Sequence, residues 1–390
     1  MPAAPTDPGA TVVSGFDHRE ERMDRVAHRA RVAGLALILT VVPLAALARP
    51  AAAATPAGHV YVETNAASGN AVVAFDRDAN GHLTYAQTVA TGGLGIAPTS
   101  VGSQGAVAIT PNERHLLAVN AGSDDVSIFD VTARGLVLAD VQPVGDRPVS
   151  VAVHRRIVYV LNQGDDTIQG LWITDTGRLA PIAGSTRPLS TAGASGAEVA
   201  FSPNGHVLAV TEKATQTIDT YFVRAGSHRA VGPKVQSSAG ATPFGFQFGP
   251  DGRLYVSEAP GSAVSSYDVT RAGRIGVVSA SVPDLQAAAC WLVVNADGTS
   301  AYVANAGSAN VSQYAISSDG SLSLVGTGAN GATSPGPVDL DLTDGGGFLY
   351  VLDSGSGAIS AFSVVSSDGS LTAIAGPNGL AIGYAGLIAV

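Results

Sequence analysis

A single cysteine, Cys290, stands in a chain of 390 residues. An intramolecular disulfide is therefore excluded, and so is a zinc site of the multi-cysteine kind. Lysine is nearly as scarce, with only Lys213 and Lys234. Beyond residue 54 the chain carries 15 Lys and Arg against 26 Asp and Glu, a net charge of −11. Such a surface is a poor counterion for a phosphate backbone or an anionic bilayer, which excludes nucleic acid as a partner. No G-x-S-x-G elbow, H-E-x-x-H helix or phosphate-binding loop is present. The eight histidines are scattered, and neither a metal nor a cofactor is expected. Asp124-Asp125 and Asp165-Asp166 are loop acids without the alternating oxygen-ligand spacing of a calcium loop.

What is abundant is turn chemistry: 47 Gly and 21 Pro suit many short strands better than long helices. Near the N-terminus, Arg25, Arg29 and Arg31 precede an apolar run from Val32 to Ala48, and small residues follow at Ala51–Ala54. These are the parts of a secretory signal peptide, with cleavage expected near Ala54. Pro43 sits inside the run and Arg49 cuts it short, so no stable membrane span is expected after cleavage. Residues 1–22 are polar, and Met23 would give a more ordinary leader than Met1. The expected organisation is an extension plus leader over 1–54 and one domain over 55–390, secreted or held in the periplasm or at the cell surface.

From His59 onward one pattern recurs. Its second strand reads HVYVET, HLLAVNAG, IVYVLNQG, VLAVTEK, LYVSEAPG, AYVANAG and LYVLDSG. Thr64, Asn120, Asn162, Glu212, Glu258, Asn305 and Asp353 fall at equivalent positions, with gaps of 56, 42, 50, 46, 47 and 48 residues. An apolar first strand and an Asn-Gly or Asp-Gly turn precede most copies, and a third strand and second turn follow. Four short strands per unit, repeated seven times, predict an all-β seven-bladed propeller of four-stranded antiparallel blades. The first unit lacks an innermost strand, and Gly386–Val390 offers a spare one. Pairing the two would close the ring without an open edge.

Connectivity then separates two faces. Turns between strands one and two, and three and four, are tight and share one face. The loops between strands two and three, and those linking blades, share the other and are chemically mixed, so function is expected there. Asn at the strand end is a common turn cap, whereas Glu212 and Glu258 are poorer turn formers. The linking loops add Arg147, Arg187, Glu198, Phe244, Trp291 and Asp339. Cys290, beside Trp291 at the start of an innermost strand, is expected to be buried and inert.

The units FSPNGHVLAVTEK, FGPDGRLYVSEA and VNADGTSAYVANAGSANVSQY resemble the lactonase family of seven-bladed propellers. That family includes propeller-type 6-phosphogluconolactonases and carboxy-muconate cyclases, and is related to YVTN-repeat surface proteins. The resemblance covers residues 58–390. It implies a site built from a His-Pro-His stretch, a Gly-Pro-Arg-His stretch and an Asn-Glu pair. Only the last carries over, as Thr211-Glu212. Arg147-Pro148-Val149 stands where the first is expected, and Gly196-Ala197-Glu198 where the second is.

Two functions follow as expectations. The first is a monomeric hydrolase that opens a small, unphosphorylated lactone by general-base activation of water. Glu212 would be the base and Glu258 a second carboxylate, with Arg147, Arg187, Asn162, Phe244, Trp291, Asn305 and Asp353 binding the substrate. Arg147, Arg187 and Lys213 are the available cations for the developing oxyanion. The alternative is a non-catalytic exported propeller that binds a protein, glycan or small ligand on the variable-loop face.

Overall fold

The computed structural model describes residues 55–390, apart from the side chains of residues 327–330. The leader, its cleavage region and the Met23 start lie outside the described residues. Seven antiparallel sheets are present among the described residues; six keep their strands side by side in chain order, and the first takes its innermost strand from the C-terminus. No helix among the described residues is long and apolar enough to cross a membrane.

The first blade is closed as the repeat arithmetic requires. Its own strands, Gly58–Glu63, Ala71–Arg77 and Leu83–Ala90, are completed by Ala385–Ala389, one residue earlier than the expected Gly386–Val390. Val60 faces Ala389, Tyr61 faces Ile388 and Val62 faces Leu387, with a bulge before Glu63. Beyond the strand, His59 and Val390 exchange both backbone hydrogen bonds, at 3.0 and 2.9 Å. The third blade departs from the pattern. Its fourth strand is broken into Leu179–Pro181 and Arg187–Pro188, where each proline removes a ladder donor.

Strand alternation puts apolar side chains of each blade against both neighbours. Leu208 and Val210 pack in one cluster with Val158 and Val160 of the preceding blade. Ala209, between them, packs with Phe246 and Val256 of the following blade. Buried tyrosines tie blades together near the tight turns. Tyr159 donates to His228 O at 2.9 Å, Tyr302 to Gly369 O at 2.7 Å, and Tyr350 to Gly81 O at 2.7 Å. The last of these joins the seventh blade to the first.

Innermost strands have no partner on the axial side, so their backbone donors need other acceptors. Side chains of the preceding blade supply them. Ser150 Oγ accepts Val199 N–H at 3.2 Å and Glu198 Oε2 accepts Phe246 N–H at 2.6 Å. Gln247 Oε1 accepts Val294 N–H at 2.5 Å. Asp339 and Asp341 accept Leu387 and Ala389 N–H at 3.1 and 2.9 Å, so the closing strand is held by carboxyls as well as by its ladder. Glu198 and Asp339 thus belong to the channel wall and not to the linking loops where the sequence pattern put them. The cause is that strand pairing starts earlier in the linkers, at Gly196 and Pro337.

The channel is plugged near the variable-loop face by the segment before the second blade's inner strand. Gln104 N–H donates to Ala197 O, while its side chain both accepts Leu292 N–H and donates to Leu292 O, at 3.1, 3.0 and 2.8 Å. Ser103 donates to Val149 O at 2.6 Å and accepts the Trp291 indole N–H at 2.8 Å. Gly245 shows how tight the plug is, because a Cβ there would lie 2.0 Å from Gln104 Oε1.

Candidate functional site

The polar ring at the ends of the second strands is present, with one change. The first member is Glu63, not Thr64, because the first blade's strand ends at Glu63 and its side chain is the inward one. Glu63, Asn120, Asn162, Glu212, Glu258, Asn305 and Asp353 are all fully buried. Each reaches forward to the third strand of its own blade or the turn before it. Glu63 accepts from Asn70 and Asn120 donates to Ser127 and Asp125. Asn162 donates to Thr167, Asn305 to Ser312 and Asn310, and Asp353 accepts from Ser360.

Glu212 follows the same logic with more partners. Its carboxylate accepts the Ser190 N–H at 2.9 Å, the Ser190 hydroxyl, and the hydroxyls of Thr215 and Thr217 at 2.5 and 2.9 Å. Burial pushes Glu212 up, but hydrogen bonds from Asp219, Ser190 and Thr215 outweigh it and hold the carboxyl below its usual value. Asp219 is the other half of the pair, pushed up to about 8 by burial and by its bond to Glu212. Glu258 accepts Ser265 and Ser281 hydroxyls at 2.5 Å each. Glu212 faces the third blade with Leu208 and Val210, and Glu258 faces the fourth with Leu254 and Val256. The fourth blade lies between them, so the two carboxylates share no pocket.

Arg187 is also apart, on the broken outer strand of the third blade, where it donates to Gly184 O and Thr186 O at 3.0 and 2.6 Å. Phe244 and Trp291 do come together, around a residue the repeat pattern had marked only by location, and the Arg147 charge acts on that residue. Lys213 follows Glu212 in sequence, so alternation turns it to the opposite face of the blade, towards the fifth blade. Thr211, on that same face, donates its hydroxyl to Phe244 O. The Lys213 ammonium lies 5.1 Å from the centroid of the Phe244 ring and donates to Gly102 O in the plug. Phe244 packs edge-on against Trp291 with centroids 5.2 Å apart.

Burial, reinforced by the nearby Arg147 charge, pulls the Lys213 amine down to about 8. Arg147 sits in left-handed backbone conformation at φ 51°, and its buried Nε has no hydrogen-bond partner among the described residues. Neither cation belongs to an ion pair among the described residues. Cys290 is buried beside Lys213, and burial pushes its thiol up to about 12, which leaves it unreactive. The arrangement offers a partly neutral amine, a guanidinium with an unpartnered Nε and an aromatic wall beside the plug. The spacing of the repeats contains a signal for the plug: the first gap is 56 residues and the others are 42 to 50.

The sequence matches the family model described as lactonase, 7-bladed beta-propeller, over residues 48–290 and again over 198–380. No curated protein sequence matches the chain. Among solved structures, a periplasmic gluconolactonase of Pseudomonas aeruginosa aligns with a TM-score of 0.67 at 20% identity, over 85% of this chain and 99% of that one. A Bacteroides uniformis protein to which 6-phosphogluconolactonase activity is ascribed aligns with a TM-score of 0.72 at 18% identity, over 85% and 99%. A Lactobacillus plantarum protein gives 0.70 at 18% identity, over 85% and 99%. At these identities the likeness is one of fold.

Proposed function

The chain belongs to the lactonase family of seven-bladed β-propellers, and from that premise we propose that it is an exported hydrolase opening a small, unphosphorylated lactone ring beside the channel plug. The observation that carries this reading is Lys213, an amine brought to about 8 in part by the Arg147 charge, together with the buried Arg147 Nε that has no partner among the described residues. An amine of that kind is roughly one-tenth neutral at pH 7. It takes a proton from a water molecule as the water oxygen attacks the lactone carbonyl. Charge developing on the carbonyl oxygen is received by Arg147. The ring C–O bond then breaks, the leaving oxygen takes back the proton, and a hydroxy acid is released. Phe244 and Trp291 supply the apolar wall for the ring.

An unphosphorylated substrate suits this chemistry. A phosphate dianion beside Lys213 would push the amine back up and remove the base. Glu212 and Glu258, whose oxygens already accept hydroxyl and backbone donors, support the site's frame in this reading. Export rests on the Arg25–Ala54 segment of the sequence, and N-terminal sequencing of the mature protein tests it. The monomer remains part of the proposal, to be tested by light scattering.

The test is hydrolysis of glucono-δ-lactone and smaller aldonolactones in a pH-stat, above the spontaneous rate. Lys213→Met is expected to lower kcat/KM by about 100-fold or more. Unchanged turnover in that variant rejects the base assignment. Absence of turnover on every lactone tried favours the non-catalytic reading, which the fully engaged Glu212 and Glu258 also favour. In that case ligand binding on this face should still respond to Phe244→Ala and Trp291→Ala.

A further inference from the structure

Asp124, a loop acid in the sequence, meets Arg147 without pairing with its charge. Its Oδ1 accepts the Arg147 backbone N–H at 2.9 Å, and its own carbonyl accepts Val144 N–H at 2.9 Å. The carbonyl of Arg147 accepts Gln163 N–H at 2.9 Å, so the residue is bracketed on both sides. That bracket holds a non-glycine residue at φ 51°, a conformation an arginine seldom adopts unaided. The course of bonds runs on towards Lys213. Gln163 Nε2 donates to Gly196 O at 2.8 Å, and Lys213 N–H donates to the neighbouring Ser195 O at 3.2 Å. Turns and linkers of the second, third and fourth blades are thereby stitched into one frame that carries both Arg147 and Lys213.

We propose that Asp124 is a positioning residue for Lys213: by holding the left-handed turn at Arg147, it keeps that guanidinium charge acting on the amine. The inference rests on the reading of Lys213 as base and Arg147 as oxyanion partner. The choice of donor matters. A carboxylate paired with the guanidinium would cancel its charge and support the ammonium form of Lys213. Asp124 takes the backbone N–H instead, while Arg147 Nε keeps no partner among the described residues. Other carboxylates of these loops are engaged elsewhere. Asp165 accepts Asp146 N–H and the Thr167 hydroxyl, and Asp166 accepts Gly193 N–H. Neither they nor the exposed Asp146 form an ion pair with Arg147 among the described residues.

The two roles open to Asp124 carry opposite signs. Burial is the larger cause of the low Lys213 value of about 8, and the Arg147 charge is the next. Cys290, also acting on the amine, pulls the other way, and its thiol stays protonated until about 12. Glu212, the adjoining carboxyl in sequence, is turned to the opposite face of the blade. Were Asp124 only a nearby negative charge, removing it would lower the Lys213 value further. If it positions Arg147, removing it lets the guanidinium leave, and the Lys213 value rises.

With only Lys213 and Lys234 in the full chain, carbon-13 lysine gives two side-chain signals whose titration NMR can follow, and Lys234→Arg assigns them. Asp124→Gly removes the carboxylate and suits the φ of 60° at that position. Expected is a rise of the Lys213 midpoint, leaving about three-fold or more less neutral amine at pH 7, with Lys234 unmoved. Asp124→Asn, which keeps an oxygen for the Arg147 N–H, should hold the midpoint at or below the parent's. Asp124→Ala serves if the glycine variant does not fold. In the Arg147→Gln background the glycine change should no longer raise the midpoint. An unchanged or lower midpoint in Asp124→Gly, an asparagine variant raised as far, or an equal rise without Arg147 would each overturn the proposal. The titration needs no turnover, so its outcome is separate from that of the lactonase reading. Where a lactone is hydrolysed, the kcat/KM limb should follow the Lys213 midpoint; a limb that stays while the midpoint moves rejects the base assignment and not the positioning.

Discussion

Asp339 Oδ2 accepts the backbone N–H of Leu387 at 3.1 Å, so a carboxyl of the last blade holds the strand that completes the first. Asp341 repeats the contact two residues on, at Ala389. Leu387 and Ala389 are themselves buried in a core cluster with Val60, Val62 and Tyr350. Deleting residues 386–390 therefore removes a ladder, a piece of core and the acceptors' partners together. Thermal unfolding of the deletion should show loss of the cooperative transition or a large fall in Tm. Leu387→Ala alone should cost about 2–4 kcal/mol. An unchanged Tm in the deletion would contradict the role given to this strand.

The same carboxyls set a pH dependence of stability. Asp339 and Asp341 are raised to about 8 and about 7 by burial, so the folded chain binds more protons than the unfolded chain above the ordinary carboxylate range. Their contribution is fully present at acid pH and is lost as pH rises through those values. Asp219 and Asp353, raised to about 8 and about 7, act in the same direction. His154 acts oppositely, but only below the usual histidine range. Urea midpoints should accordingly fall between pH 6.5 and 8.5, and Asp341→Asn should flatten the slope. A midpoint that rises over that window would refute the assignment.

Glu212 offers a test of frame against chemistry. Its oxygens take the backbone N–H and hydroxyl of Ser190, in the linker from the third blade, and the hydroxyls of Thr215 and Thr217 in its own blade. Glu212→Ala leaves those donors unpaired and Asp219 without its partner, at an expected cost of about 3 kcal/mol. Denaturant unfolding should show that loss. Any activity remaining in the folded fraction should keep the parent pH profile. A variant with parental stability would show that the hydrogen bonds are not what Glu212 is there to make.

The blades were legible because period-two strands, Asn-Gly turns and a near-constant spacing all express the same local geometry. Closure was legible from arithmetic, since the first unit is short by one strand and the C-terminus supplies it. Thr64 was misplaced by one residue because the motif ends in Glu-Thr there, and only pairing decides which side chain turns inward. The site was less legible. Glu212 and Lys213 are neighbours in sequence, yet alternation sends them to opposite faces of the blade. Gln104 and Ser103 lie in an insertion with no turn motif, and their partners at Leu292 and Trp291 are 188 residues away. Contacts of that separation leave no local pattern.

Arg147 and Lys213 give the most discriminating kinetic prediction. If neutral Lys213 is the base, kcat/KM for a neutral lactone should rise with pH along a limb near 8, where its amine titrates. Part of that depression comes from the Arg147 charge. Arg147→Gln removes the charge, so the limb should move to higher pH. At pH 7 the variant should be slower twice over, through less neutral amine and through loss of the oxyanion partner. At high pH only the second effect should remain, so the ratio of parent to variant rates must shrink as pH rises. A ratio independent of pH would mean that the two cations are not coupled, and that Lys213 is not the group that titrates.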